Sequence, residues 1–283
     1  MKSSELFPPK SFLNIRGELY SLNQAKVMGI LNITPDSFFD GGRYTNEKAQ
    51  LQRVEEMLSQ GADFIDIGAQ SSRPGAKEVG AEKEIELLSP IISSIRKYFP
   101  EAILSIDTWH ASVAKVAYNA GADMINDISG GTFDKEIFRC MQEIQLPYIL
   151  MHTGGRPENM QDNPTYDNIL KDVIFFMSKQ LNTLNHIGVN DIIIDPGFGF
   201  GKTMAHNYEL LSQLSHFSFL EAPIIVGLSR KSMIYKPLKL KPEEALNGTT
   251  ALHMIALEQG ADILRVHDVK EAKECIQLHQ MLH

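Results

Sequence analysis

The sequence predicts an α/β chain that closes as a single (β/α)8 barrel, the TIM-barrel architecture, on three observations. Eight short apolar runs follow one another, stripes of helical period lie between them, and a Gly-Ala-Asp triplet recurs before three of the runs. The length of 283 residues is within what one such barrel fills. Residues 26–283 are read as the barrel and residues 1–25 as a short N-terminal capping segment. An open doubly wound sheet is the alternative architecture.

The runs occupy 26–31, 63–67, 103–106, 123–128, 148–151, 191–194, 224–228 and 262–266. Most lack polar alternation, as strands do when both faces are covered in a parallel sheet. Between them, Leu51, Val54 and Leu58, then Val113, Val116 and Ala120, keep helical spacing. Ile169, Val173, Phe176 and Leu184, and later Ala245, Thr249, Leu252 and Ala256, do the same. Ser89-Pro90 interrupts the second helical region. It predicts an N-cap followed by Pro at N1, so that one helix stops and another starts there. Gly61, Gly121 and Gly260, each followed by Ala-Asp, are placed to end a helix just before a strand.

Composition narrows the function classes. With 43% apolar and 22% charged residues the chain is ordinary globular material, not a disordered one. The net charge of −8 opposes a nucleic-acid or anionic-membrane surface, so neither is expected as a partner. Small anionic substrates remain open if a few cations gather in one cleft. Cys140 and Cys275 are unclustered, which gives neither a disulfide framework nor a metal site. No apolar leader and no run near the ~18 residues needed to cross a bilayer are present, and the expectation is a cytoplasmic protein.

Chemistry-bearing residues concentrate at the C-terminal ends of the predicted strands, where a barrel builds its site. They are Asn32, Asp66, Asp107, Asn126 with Asp127, His152, Asp195, Lys231, and Arg265 with His267. Singly, Asp107 or Asp127 serves as well for the N-cap of the next helix, and His152 or His267 as a partly buried structural histidine. Together they would converge on one mouth, where unpaired polar groups are costly without a ligand. The glycine-rich stretch from Asp195 to Thr203 is not a P-loop, because only three residues separate Gly197 from Gly201-Lys202. Its N–H groups form either an anion nest or simply a flexible loop.

These residues lie in longer motifs. Gly29-Ile-Leu-Asn-Ile-Thr-Pro-Asp-Ser-Phe38 with Asp40-Gly-Gly42, and Ser72-Arg-Pro-Gly-Ala76, resemble the two loop signatures of the dihydropteroate synthase family. The similarity continues in order through Ser105-Ile-Asp-Thr108, Ile125-Asn-Asp-Ile128, Met151-His152 with Met160-Gln161, Ile194-Asp-Pro-Gly-Phe-Gly199, Ser229-Arg-Lys-Ser232 and Arg265-Val-His-Asp268. The resemblance implies a transferase of folate biosynthesis. It would join 6-hydroxymethyl-7,8-dihydropterin diphosphate to para-aminobenzoate, giving 7,8-dihydropteroate and diphosphate.

Residue by residue, the resemblance implies that Asp195 accepts the pterin N3–H and 2-amino group, with Asp107, Asn126, Lys231 and Arg265 as further pterin contacts. Arg265, His267 and Asn32 would meet the diphosphate, and Asn32 would also be a ligand of its Mg2+. Phe38, Ser72, Arg73 and Pro74 on the loops, and Ser229, would shape the para-aminobenzoate subsite, the target of sulfonamides. A homodimer is implied as well. Gln70 in Gly68-Ala-Gln-Ser71, where the family commonly has Gly-Gly-Glu-Ser, and Phe39, where a small residue is usual, depart from the pattern. Two rival readings are a pterin-domain methyltransferase and a catalytically silent pterin-binding paralogue. The Phe38 and Arg73 loops and the Lys231-to-His267 set argue against both.

Overall fold

Strands without polar alternation need cover on both faces, and the chain supplies it by following each with a helix. The computed structural model describes residues 12–33, 43–70, 78–162 and 164–282. Among them, a hairpin of β1 (Phe12–Ile15) and β2 (Glu18–Ser21) precedes eight parallel strands. These are β3 (Lys26–Asn32), β4 (Phe64–Gly68), β5 (Leu104–Asp107), β6 (Met124–Asp127), β7 (Tyr148–Met151), β8 (Ile192–Asp195), β9 (Ile225–Val226) and β10 (Ile263–Val266). The helices are α1 (Arg43–Ser59), α2 (Ala81–Tyr98), α3 (Ala111–Ala120), α4 (Ile137–Ile144), α5 (Ile169–His186), α6 (Met204–Ser212), α7 (Ser232–Leu238), α8 (Leu246–Glu258) and α9 (Val269–Gln280). Strand neighbours run β8-β7-β6-β5-β4-β3-β10-β9, and a single bridge from Ile194 to Ile224 joins the two ends. The architecture is therefore the (β/α)8 barrel, with its thinnest seam between β8 and β9.

Strand residues two apart share a face, which sorts the apolar side chains into two cores. Met28, Phe64, Met124, Ile149, Ile193 and Ile263 fill the N-terminal end of the barrel interior, and Leu13, Ile15 and Leu22 join them. The β1–β2 hairpin thus lies across that end. Outward-facing Ile65, Ile67, Leu104, Ile106, Ile125 and Leu264 belong instead to the larger cluster shared with the helices.

The recurring triplet has a second use that the sequence did not disclose. Gly61, Gly121 and Gly260 take φ of +94°, +101° and +92°, the left-handed conformation that closes a helix. Asp63, Asp123 and Asp262, expected to open strands, stand one residue before them. Each donates its backbone N–H to a carbonyl of the neighbouring strand region, at Val27, Leu104 and Ile224, over 2.8 Å. Each carboxylate then accepts the N–H of that same residue, at 2.8, 2.8 and 2.7 Å. The side chain so satisfies a strand-end donor that the ladder leaves open. Asp123 also receives Arg16 at 2.7 and 2.9 Å and Arg96 at 2.7 Å, fastening the hairpin to the barrel.

Two expectations need correction. Helix α2 does not stop at Ser89-Pro90 but runs through it, with Leu87, Leu88, Ile91, Ile92 and Ile95 buried along one side. Pro90 and Glu86, whose carbonyl the ring deprives of a helical partner, are both exposed, so water can replace the lost bond. The seventh run contracts from 224–228 to two strand residues, because beyond Ile224 it pairs only with β10. Among the described residues, no helix is long and apolar enough to cross a membrane.

Candidate active site

One pleat above the apolar interior layer, the same strands present Asp66, Asn126, Met151, Asp195 and Arg265. The inside of the barrel thus turns from apolar to polar over about 7 Å of strand. Arg265 on β10 organises the first half of this layer. Its Nε donates to Asp66 Oδ2 at 2.7 Å and its Nη2 to Asp107 Oδ2 at 2.9 Å, across to β4 and β5. Asn126 Nδ2 donates to the same Asp66 oxygen at 3.0 Å, and Ser105 Oγ to Asp66 Oδ1 at 2.6 Å. Asp66 is fully buried, so three fixed donors compensate its desolvation. Arg265 Nη1, Asp107 Oδ1 and Asn126 Oδ1 have no hydrogen-bond partner among the described residues. Burial pushes the Asp107 carboxyl up, with Arg265 opposing the shift.

Asp195, ending β8, forms the other half. Its Oδ1 accepts Gly197 N–H at 2.7 Å, while Oδ2 has no partner among the described residues. Burial raises this carboxyl, and Lys231 is the largest opposing influence. Lys231 Nζ donates to the carbonyl of Phe198 and stands 4.7 Å from the centre of the Phe200 ring. Its burial lowers the ammonium to about 8. A carboxylate with one oxygen open, a cation near it and an amide oxygen opposite make a pocket that accepts paired N–H donors and donates to an acceptor edge.

The loop after β8 is neither an anion nest nor loose. Gly197, Gly199 and Phe200 spend their N–H groups on Asp195, Asn207 Oδ1 and the Gly197 carbonyl, at 2.7, 2.6 and 3.1 Å. The glycines permit the close approach. A Cβ on Gly197, at φ +71°, would fall 1.9 Å from the His152 carbonyl, and one on Gly201 2.5 Å from Gly154 Cα. His152 itself faces Lys202 Nζ through Nδ1 at 2.9 Å, and burial drives its pKa far down. Lys202 has no mark in the sequence beyond the glycine-rich stretch that contains it, because no local pattern announces a buried lysine.

The remaining expected residues divide. His267 follows β10, with its N–H and Nδ1 at 3.2 and 3.1 Å from Ser229 Oγ, so these two are in contact. Burial and then Arg265 lower His267 to about 4, and the ring is neutral at pH 7. Asn32 is exposed at the end of β3, the strand beside β10. Asp127 stands apart, its carboxylate taken by Ser129 and Gly131 N–H at 2.7 and 2.9 Å and by the Tyr148 hydroxyl, which is the N-cap-like structural use. Phe38, Phe39, Ser72, Arg73 and Pro74 lie outside the described residues. Gln70 ties the flank of that second loop to Val79, accepting its N–H at 2.9 Å and donating to its carbonyl. Its amide is also 3.5 Å from Glu84, a carboxyl that burial raises to about 8.

Comparison with known proteins bears on what this mouth does. Residues 28–267 match the family model for pterin binding enzymes, from β3 to just past β10. A dihydropteroate synthase of Escherichia coli is 40% identical over 265 residues, 93% of each chain. The chain belongs to the dihydropteroate synthase family. Among solved structures, the dihydropteroate synthase of Yersinia pestis with a sulfonamide drug superposes with a TM-score of 0.89 at 41% identity, covering 96% of this chain and 98% of that one. The Xanthomonas albilineans dihydropteroate synthase with 4-aminobenzoic acid gives 0.88 at 35% identity, with the same coverage. Every strand that supplies the polar layer is inside the region that matches the pterin binding enzyme model.

Proposed function

We propose that the chain is the transferase that condenses 6-hydroxymethyl-7,8-dihydropterin diphosphate with para-aminobenzoate in folate biosynthesis, releasing 7,8-dihydropteroate and diphosphate. The observation that carries this is the buried Asp195 with Oδ2 open, faced by Lys231, beside an Arg265 whose Nη1 is uncommitted. Asp195 accepts the pterin N3–H and 2-amino pair, Asn126 and Asp107 complete the ring contacts, and Lys231 donates to the O4 and N5 edge. Arg265 is held flat by Asp66 and Asp107, suited to stack on the ring and direct Nη1 to the diphosphate. Neutral His267 and Asn32 meet the same group. Ser229 and the loop residues Phe38, Ser72, Arg73 and Pro74 form the aminobenzoate subsite.

In the reaction the methylene C–O bond breaks and its electron pair leaves with the diphosphate. The arylamine nitrogen then forms the new C–N bond and gives up a proton to solvent. The protein fixes the two partners in line and stabilises the leaving charge with Arg265 and His267. Among the described residues no cluster of three or more acidic, His or Cys side chains could hold a metal. Asn32 offers a single neutral oxygen, which suits a minor ligand of Mg2+ delivered with the phosphates rather than a resident cage. When bound, Mg2+ supplies charge neutralisation to the leaving group. The same reading makes residues 26–283 one catalytic barrel capped by residues 1–25, in a cytoplasmic homodimer.

The test is incubation with both substrates and Mg2+ and mass detection of dihydropteroate; no product sinks the reading. Asp195→Asn, which turns an acceptor into a donor, is expected to weaken pterin binding by about 2–3 kcal/mol in calorimetry. Unchanged affinity in a folded variant would remove Asp195 from the site. Full turnover in chelator would remove the metal role of Asn32.

A further inference from the structure

The reaction as derived leaves one buried cation without a task. Lys202 is 3% exposed and its ammonium lies among four acceptors: the Gly197 carbonyl at 2.9 Å, the Phe200 carbonyl at 3.0 Å, His152 Nδ1 at 2.9 Å and the His152 carbonyl at 3.3 Å. No carboxylate bonds to it. Burying an ammonium on neutral oxygens and a ring nitrogen is unfavourable, and its pKa falls to about 7 through that burial. An apolar side chain would fill such a spot at lower cost, so the charge calls for a reason in the geometry it imposes.

That geometry is the loop from Gly197 to Gly201. Every carbonyl in it is held by a side-chain donor: Gly197 and Phe200 by Lys202, Phe198 by Lys231, Gly199 by Gln161 at 2.5 Å, and Gly201 by the Tyr166 hydroxyl at 2.8 Å. Lys202 is the inner clamp of this set, and the only one of the donors that also reaches across to the end of β7. One of the peptide units it holds, Gly197–Phe198, lies directly between the unit that presents Gly197 N–H to Asp195 Oδ1 and the unit that presents the Phe198 carbonyl to Lys231 Nζ.

We infer that Lys202 is a positioning residue of the pterin subsite, setting the loop after β8 so that Asp195 and Lys231 are presented together at the barrel mouth. The inference rests on the pterin reading of Asp195. Lys202 touches no reacting atom; it acts through the loop, and its influence belongs to pterin recognition rather than to aminobenzoate.

The experiment uses the full-length chain with Lys202→Met, which keeps length and volume and removes the ammonium. Titration with 6-hydroxymethyl-7,8-dihydropterin is expected to show affinity lower by about tenfold or more, while the aminobenzoate KM at saturating pterin diphosphate stays within about twofold. A double-mutant cycle with Asp195→Asn separates positioning from general destabilisation. If Lys202 works through Asp195, Lys202→Met costs far less affinity in the Asp195→Asn background than in the wild type. Lys202→Gln, a shorter polar side chain, is read in the same way if the methionine variant does not fold, and failure of both to fold makes Lys202 a folding residue and overturns the inference. Pterin affinity within about twofold of wild type in folded Lys202→Met, equal losses for both substrates, or additive effects in the cycle also overturn it. Unchanged affinity in Asp195→Asn alone overturns the pterin reading instead, whatever Lys202 does.

Discussion

Asp66 shows how a residue visible in the sequence gains its meaning only from the fold. Its place near a strand end was legible, but its three donors come from residues 39, 60 and 199 positions away, which no local pattern encodes. Asp66→Asn would leave one oxygen where two accept and put an amide against Arg265. The expected outcome is a fall in kcat/KM of about 10²-fold with little loss of secondary structure, read by steady-state kinetics and circular dichroism, since a guanidinium displaced by about 1 Å no longer meets the leaving group. Legibility varies within the site for the same reason. Asp107, Asn126, Asp195, Lys231, Arg265 and His267 each end or follow a strand, so a barrel alone brings them together. Lys202 is set by tertiary contacts with a histidine 50 residues earlier, and Gln70 by a carbonyl across a loop. The Gln70 departure also acquires a cause: beside the buried Glu84, a neutral amide avoids a second carboxyl competing for one proton.

At the scale of elements, the strands were readable because doubly covered runs are continuous in apolar residues, and the observed bounds differ by a residue or two. The misreadings have local causes. Ser89-Pro90 obeys the rule for a helix start, yet the apolar stripe on both sides of it is one continuous face, and packing along α2 overrides the local signal. Pro90→Ala restores the N–H toward the Glu86 carbonyl at an exposed position. It is expected to stabilise the protein by about 1–3 kcal/mol, measured as an increase in the urea midpoint with unchanged slope. The triplet aspartates predict the opposite sign. Asp123→Ala strips Leu104 N–H of its acceptor and leaves Arg16 and Arg96 without their shared carboxylate. A loss of about 3–5 kcal/mol in denaturation is expected, because one partner of a buried charged group is removed. Pro90→Ala and Asp123→Ala bracket what sequence rules catch: glycine caps were foreseen, the aspartate clamps after them were not.

Across the whole molecule, buried histidines set the acid limit. His253 is 2% exposed with neither ring nitrogen hydrogen-bonded, and burial lowers it to about 4. Its folded pKa lies below the unfolded value, so the unfolded chain takes the proton first. Stability from this group is complete above about 6.5 and declines as pH falls toward 4, by on the order of 3 kcal/mol. Asp262, raised to about 6 by burial, has the reverse slope and partly offsets it. His253→Leu isolates the histidine: unfolding at pH 7 should show a gain of about 1 kcal/mol that increases at pH 5, and a constant difference would refute the assignment. The seam between β8 and β9 acts at the same scale. A single bridge closes the barrel there, and the two groups proposed to hold the pterin stand on opposite sides of it, Asp195 ending β8 and Lys231 following β9. A bound pterin would therefore be a cross-link between strands that the backbone joins weakly. Amide hydrogens of Ile225 and Val226 should exchange fastest among the barrel strands in the free protein and slow most on pterin addition, so that the substrate finishes the closure of its own barrel.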